Sequence, residues 1–299
     1  PTSSTNFPTH NPISSTNRGG QDVLVVKLDL ELEKFIYSTY WGGSGDECYQ
    51  RCALDILSGR VYVTGRTNSS SFPIGNGSGQ YSGGWDVFAF QLSSHGKVLQ
   101  YYVFGGQTDD WSKDIVVNQY GHAYITGGTI SADFPFTSDA FQMTRLGAED
   151  AFITKIKFSS SGAEPQYSTF LGGNAQDRGE GIGIDKNGDI YIVGWTNSND
   201  YPRIPPTIEN PTGNGYITKL RLGQYKAVKD VYCSLCDAVK HGATPDTRDF
   251  MGSTGSTQGL TGDPINTRTG AFVYSLSELP LQSAAGPLVF QFGYSSETT

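Results

Sequence analysis

Asp150-Ala-Phe-Ile-Thr-Lys-Ile156, then Tyr167-Ser-Thr-Phe-Leu-Gly-Gly173, then Ile184-Asp-Lys-Asn-Gly-Asp-Ile-Tyr-Ile-Val-Gly-Trp-Thr196: this stretch decides the fold. Its opening run recurs upstream as Asp86-Val-Phe-Ala-Phe-Gln-Leu92 and Asp22-Val-Leu-Val-Val-Lys-Leu28. A fourth copy, Asn214-Gly-Tyr-Ile-Thr-Lys-Leu220, lies downstream, and successive copies are 64 residues apart. The Gly-Gly motif returns as Gly42-Gly43, Gly105-Gly106 and Gly172-Gly173. The last motif returns as Val61-Tyr-Val-Thr-Gly-Arg-Thr67 and Ala123-Tyr-Ile-Thr-Gly-Gly-Thr129. An aromatic-Pro pair follows it: Phe7-Pro8, Phe72-Pro73, Phe134-Pro135 and Tyr201-Pro202. Each unit holds four short runs rich in β-branched and aromatic residues, which predicts four strands. In the third copy they fall near residues 150–157, 166–171, 179–185 and 189–194. Four strands per unit in tandem is the pattern of a propeller blade.

These motifs resemble the bacterial β-propeller repeats called SBBP over about residues 1–222. The resemblance implies secreted or cell-surface proteins, usually large, without a shared catalytic site. The expected fold is all-β, with about three and a half four-stranded antiparallel blades and an extended β-rich tail. The expected divisions are an N-terminal inter-blade segment (1–21), blade 1 (22–67), blade 2 (68–129), blade 3 (130–196) and a partial blade (197–222). A cysteine-containing Gly/Ser/Thr linker (223–261) and a strand-like tail (262–299) complete the chain. The tail's Gly262-Asp-Pro-Ile-Asn-Thr-Arg-Thr-Gly270 resembles the opening of Rhs/YD-repeat regions.

Composition agrees with this architecture. Thirty-eight glycines in 299 residues, with 17% charged residues, suit many short strands and tight turns. The net charge of −8 argues against a nucleic-acid or anionic-membrane partner, since both need a cationic surface. No apolar run reaches the length of a membrane span, and no basic-then-apolar leader opens the sequence.

Cys48, Cys52, Cys233 and Cys236 form two close pairs. Local disulfides 48–52 and 233–236 are the expectation in a secreted protein, with zinc ligation or free thiols as alternatives. Asp185, Asn187 and Asp189 make a weak calcium candidate without the distal Glu of an EF-hand; a tight turn is the simpler account. No other cofactor is expected. Asp22, Asp86 and Asp150 open a strand in three copies and read as structural acceptors. Asp46-Glu47, Asp109-Asp110 and Asp177 follow each Gly-Gly, as turn acceptors or as a ring of acids on one rim. The sequence lacks a His-Glu-x-x-His motif, a Gly-x-Ser-x-Gly elbow and a phosphate loop, so no catalytic residue is assigned and no enzyme is expected.

Long aromatic loops follow each Gly-x-Thr, so a carbohydrate-binding propeller is one alternative function; the N-terminal part of a large Rhs-type secreted protein is the other. The Phe-Pro pairs themselves are expected to plug gaps between blades. An arc of three and a half blades leaves blade faces uncovered. The leading expectation is therefore an extracellular scaffold, adhesin or fibre subunit that meets copies of itself or further blades. Phe272, Tyr274, Leu288, Phe290 and Phe292 are the expected contacts of a donated tail strand.

Overall fold

A computed structural model describes residues 1–29, 31, 33–71, 76–202, 214–221, 228–232, 265–266, 271–275 and 289–292. The described residues contain no α-helix. The chain divides into two compact units, Pro1–Gly183 with Ile190–Cys233, and Ile184–Asp189 with Ser234–Thr299.

The larger unit begins with a two-stranded antiparallel half-blade, β1 (Val23–Leu28) and β2 (Phe35–Trp41). Next come β3 (Glu47–Asp55), β4 (Arg60–Thr67), β5 (Asn76–Gly79), β6 (Asp86–Leu92) and β7 (Val98–Phe104), which form one sheet in the order β3-β4-β6-β7-β5. The following blade is β8 (Asp110–Val117), β9 (His122–Thr129), β10 (Asp150–Ser159) and β11 (Gly162–Leu171), in sequential order. The last is β12 (Asp177–Ile184), β13 (Asp189–Thr196), β14 (Asn214–Arg221) and β15 (Val228–Tyr232), again in sequential order.

The strands are those the sequence predicts, but the blades are framed half a unit later. The expected blade 1, residues 22–67, is split between two sheets, because β2 does not pair with β3. β4 pairs instead with β6 across residues 68–85, with Thr67 opposite Asp86. β9 pairs with β10 in the same way, with Thr129 opposite Asp150. The short Gly-Gly turns therefore cross from blade to blade, and the long aromatic loops join strands of one blade.

The long loops return to their own sheet because they cover its outer edge. β5 lies parallel on β7, with Asn76 opposite Gln100. In the next blade, Thr137 N–H donates to Ser168 O at 3.0 Å, and Phe170 N–H donates to Gln142 O at 3.2 Å. The N-terminal segment does the same for β2: Ser38 N–H donates to His10 O at 2.8 Å, and Tyr40 N–H to Ser14 O at 3.1 Å. An uncovered edge strand invites pairing with another chain, and these loops occupy its main-chain groups.

Sheets stack face to face, and the side-chain alternation of β6 shows how. Val87 and Ala89 enter one core with Ile125, Phe134, Phe152 and Phe170. Phe88, Phe90 and Leu92 enter another with Val23, Tyr37 and Trp41, and the Trp41 ring centroid lies 4.0 Å from that of Phe90. Every residue of β6 is buried, which is why it reads as a nearly continuous apolar run. Phe134 of the aromatic-Pro pair is fully buried between blades, 5.9 Å from Phe104 and 4.7 Å from Phe152. Phe72 lies outside the described residues.

In the smaller unit, β16 (Ile265–Asn266), β17 (Ala271–Ser275) and β18 (Val289–Phe292) form a three-stranded antiparallel sheet in that order. Phe272 is opposite Phe292, and Tyr274 is opposite Phe290. β17 lies between β16 and β18, and pairs with β16 at Ala271 and Phe272 alone. A strand tethered to its mate meets it at far higher effective concentration than it meets another chain. Leu288 lies outside the described residues.

Candidate functional site

Each crossing between blades is built around two carboxyl groups that close over the first glycine of Gly-Gly. Asp86 and Asp110 flank Gly105, where a side-chain carbon would sit 2.5 Å from Asp86 Oδ1 and 2.7 Å from Asp110 Oδ2. The two oxygens therefore lie no more than about 5 Å apart. Asp150 and Asp177 flank Gly172, and Asp22 and Glu47 flank Gly42, in the same way. All six acids are fully buried.

The second acid of each pair holds the turn. Gly43 N–H donates to Glu47 Oε2 at 3.0 Å, Gly106 N–H to Asp110 Oδ2 at 2.7 Å, and Gly173 N–H to Asp177 Oδ2 at 2.7 Å. A serine hydroxyl completes each cluster: Ser69 Oγ at 2.6 Å from Glu47, Ser131 Oγ at 2.9 Å from Asp110 and Ser198 Oγ at 2.6 Å from Asp177. The first acid ties down the preceding loop. Asp22 accepts from Arg18 N–H at 3.0 Å, Asp86 from Ser82 N–H at 2.6 Å and Asp150 from Leu146 N–H at 3.0 Å. The expected structural acceptors Asp22, Asp86 and Asp150, and the glycines beside them, are thus brought together. The signal that marks these serines in the sequence is the repeated Thr-x-Ser of Thr67-Asn-Ser69, Thr129-Ile-Ser131 and Thr196-Asn-Ser198.

Burial raises these acids. Asp86 is pushed up to about 7, first by desolvation and then by the negative charges of Asp110 and Asp133, against the opposing Ser82 bond. Desolvation raises Asp110 to about 6, although hydrogen bonds to Thr129, Gly106 and Ser131 pull it down. Desolvation also raises Asp22, Glu47 and Asp150. Oδ1 of Asp22, Asp86, Asp110 and Asp177 is buried and has no hydrogen-bond partner.

A second feature lies on strands that the bulges re-aim. β3 shifts register between Cys48 and Arg51, and β8 between Ser112 and Asp114. Tyr49, in the first bulge, has φ of +59° and is half exposed. The Arg66 guanidinium lies 4.3 Å from the Tyr49 ring and 4.2 Å from the Trp85 ring. Lys113, the extra residue of the second bulge, stands 5.6 Å from the Tyr49 ring and 3.5 Å from Glu180. Arg178 lies 5.1 Å from both Trp111 and Trp195, and its Nη2 donates to Glu149 at 2.8 Å. The Lys113 and Arg178 contacts join neighbouring blades, and Tyr49 is the exposed aromatic of the group.

Other sequence candidates stand apart. Cys48 and Cys52 are free thiols, so the expected bridge between them does not form. Both lie on β3, opposite Arg66 and Val63, and an extended strand separates such residues beyond the roughly 7 Å limit for bridged Cα atoms. Cys233 and Cys236 lie outside the described residues. Asp185 Oδ1 accepts from Asn187 N–H at 2.8 Å and Asp189 N–H at 2.9 Å, which is a tight turn. Asp55 and Asn118 begin the same turn in the other blades. Among the described residues, no group of three or more His, Cys, Asp or Glu is placed to hold a metal ion. Among the described residues there is no helix long and apolar enough to cross a membrane.

No curated protein matches the sequence. The SBBP beta-propeller repeat family matches residues 166–202. That span starts within β11, crosses the Gly172-Gly173 turn and ends at Tyr201-Pro202, so the chain carries an SBBP-type repeat laid across a blade junction.

Proposed function

We propose that this chain is a non-enzymatic structural module that works outside the cell, as a scaffold, adhesin or fibre subunit, and joins further blades at the open edge of its half-blade. One observation carries the reading. Thr2 pairs with Asp22 through N–H to O bonds of 2.9 and 3.0 Å, as Thr67 pairs with Asp86 and Thr129 with Asp150. Beyond Thr2, β1 has no strand on that side among the described residues. Its Val26 and Leu28 are 36% and 37% exposed, where the matching strand β6 is wholly buried. An inner hairpin like β3–β4 fits that edge, supplying main-chain bonds and an apolar face together. The acidic charge and the SBBP-type repeat support a surface role, and the tail's likeness to Rhs openings fits a larger secreted architecture.

The test is hydrogen exchange on the full chain with and without a peptide spanning residues 47–67. Protection of the Val23–Leu28 amides by the peptide supports the reading. Unchanged exchange, with a monomeric chain at high concentration, overturns it. Tyr49 favours a second reading, glycan binding, and a glycan array with wild type and Tyr49→Ala distinguishes the two.

A further inference from the structure

The carboxyl pairs do more than the turns require, because two acid oxygens at the middle junction are left without a donor. Asp86 Oδ1 and Asp110 Oδ1 are both buried and unpartnered, and Asp86 faces Asp110 across Gly105. The charged groups acting on the pair are all acidic: Asp110 on Asp86, and Asp133, from the loop after β9, on both. Tyr81 faces Asp86 and Asp109 from the loop before β6 and brings no positive charge. Two buried carboxylates this close strongly disfavour double ionisation.

We propose that Asp86 and Asp110 share one proton across Gly105, and that the junction between their blades loosens when that proton leaves. The proton lets one acid donate to the other, so an orphaned carboxyl oxygen gains a partner and one negative charge is removed. The raised pKa values agree: an unfolded aspartate titrates at ~3.9, well below both groups. Folded values above the unfolded one mean that stabilisation is complete below about pH 4. It is lost as pH rises through about 6 to 7. The protein therefore gains stability in mild acid, opposite to the usual loss on acidification.

The experiment is thermal unfolding of the full chain at closely spaced pH, with Asp86→Asn alongside. In Asp86→Asn the amide carbonyl keeps the Ser82 bond, and the amide N–H donates permanently toward Asp110. Wild type should lose several degrees in Tm between about pH 5 and 8, while the variant stays nearly flat and exceeds wild type at the alkaline end. Infrared spectra of wild type should show a protonated-carboxyl band that persists above pH 5 and is missing from the variant. If the variant fails to fold, the wild-type band decides alone. A flat wild-type profile, absence of the band, or calcium restoring alkaline Tm in wild type would overturn the proposal, the last because a metal ion would then occupy the proton's place.

Discussion

Gly105 touches two carboxylates at the point where any other residue carries its β-carbon. Gly105→Ala should therefore cost roughly 1–3 kcal/mol, as overpacking does, measured by urea unfolding. Gly183 is the contrast, since a β-carbon there meets nothing within 4 Å. Gly183→Ala should be neutral or gain roughly 0.4–1 kcal/mol, by reducing the freedom of the unfolded chain. The sequence distinguishes these two glycines, because the Gly-Gly pairs recur at fixed positions and Gly183 does not. It does not reveal that acids 24 residues apart, such as Asp86 and Asp110, face one another, because that depends on two sheets meeting. The cysteines mislead for a related reason. Closeness in sequence suggests a bridge, but an extended strand carries Cys48 and Cys52 apart. Cys52, being exposed, should alkylate in the native state, read by mass spectrometry.

At the scale of elements, strand positions were legible because each run alternates or is wholly apolar, and Gly or Asn turns bound it. Blade framing was not, because a repeat has a period but no phase. Connection length pointed the wrong way: a long loop looks like a link between blades, yet residues 130–149 spend their length on β11 and return to β10. Phe134 anchors that loop, fully buried beside Phe104, Phe152 and Phe170. Phe134→Ala should cost about 3–5 kcal/mol. Replacing residues 135–144 by a Gly/Ser linker should do something different, exposing the β11 edge and promoting self-association seen by light scattering. Loss of stability without association would mean that the loop fills space rather than guards an edge.

For the whole molecule, the proposed open edge lies on β1, while β16, β17 and β18 pair among themselves. Deleting the chain from Gly262 onward should then leave blade folding intact, read by circular dichroism and exchange protection of β6. Loss of protection in β6 on that truncation would tie the tail to the blades' stability. The sequence led to the architecture because repetition is a property of the whole chain and survives local error. It gave less about the tail, where the motif occurs once.

The offset between repeat and blade has a consequence for how such a chain lengthens. Thr67 meets Asp86 in the same register in which Thr129 meets Asp150. Removing Asp86–Glu149 would join β4's loop directly to β10 and reunite two half-blades that already carry matching edges. Gene duplication or loss of one unit thus splices like a dovetail joint: each new piece locks into the mate on either side, and the internal seams survive the change in number.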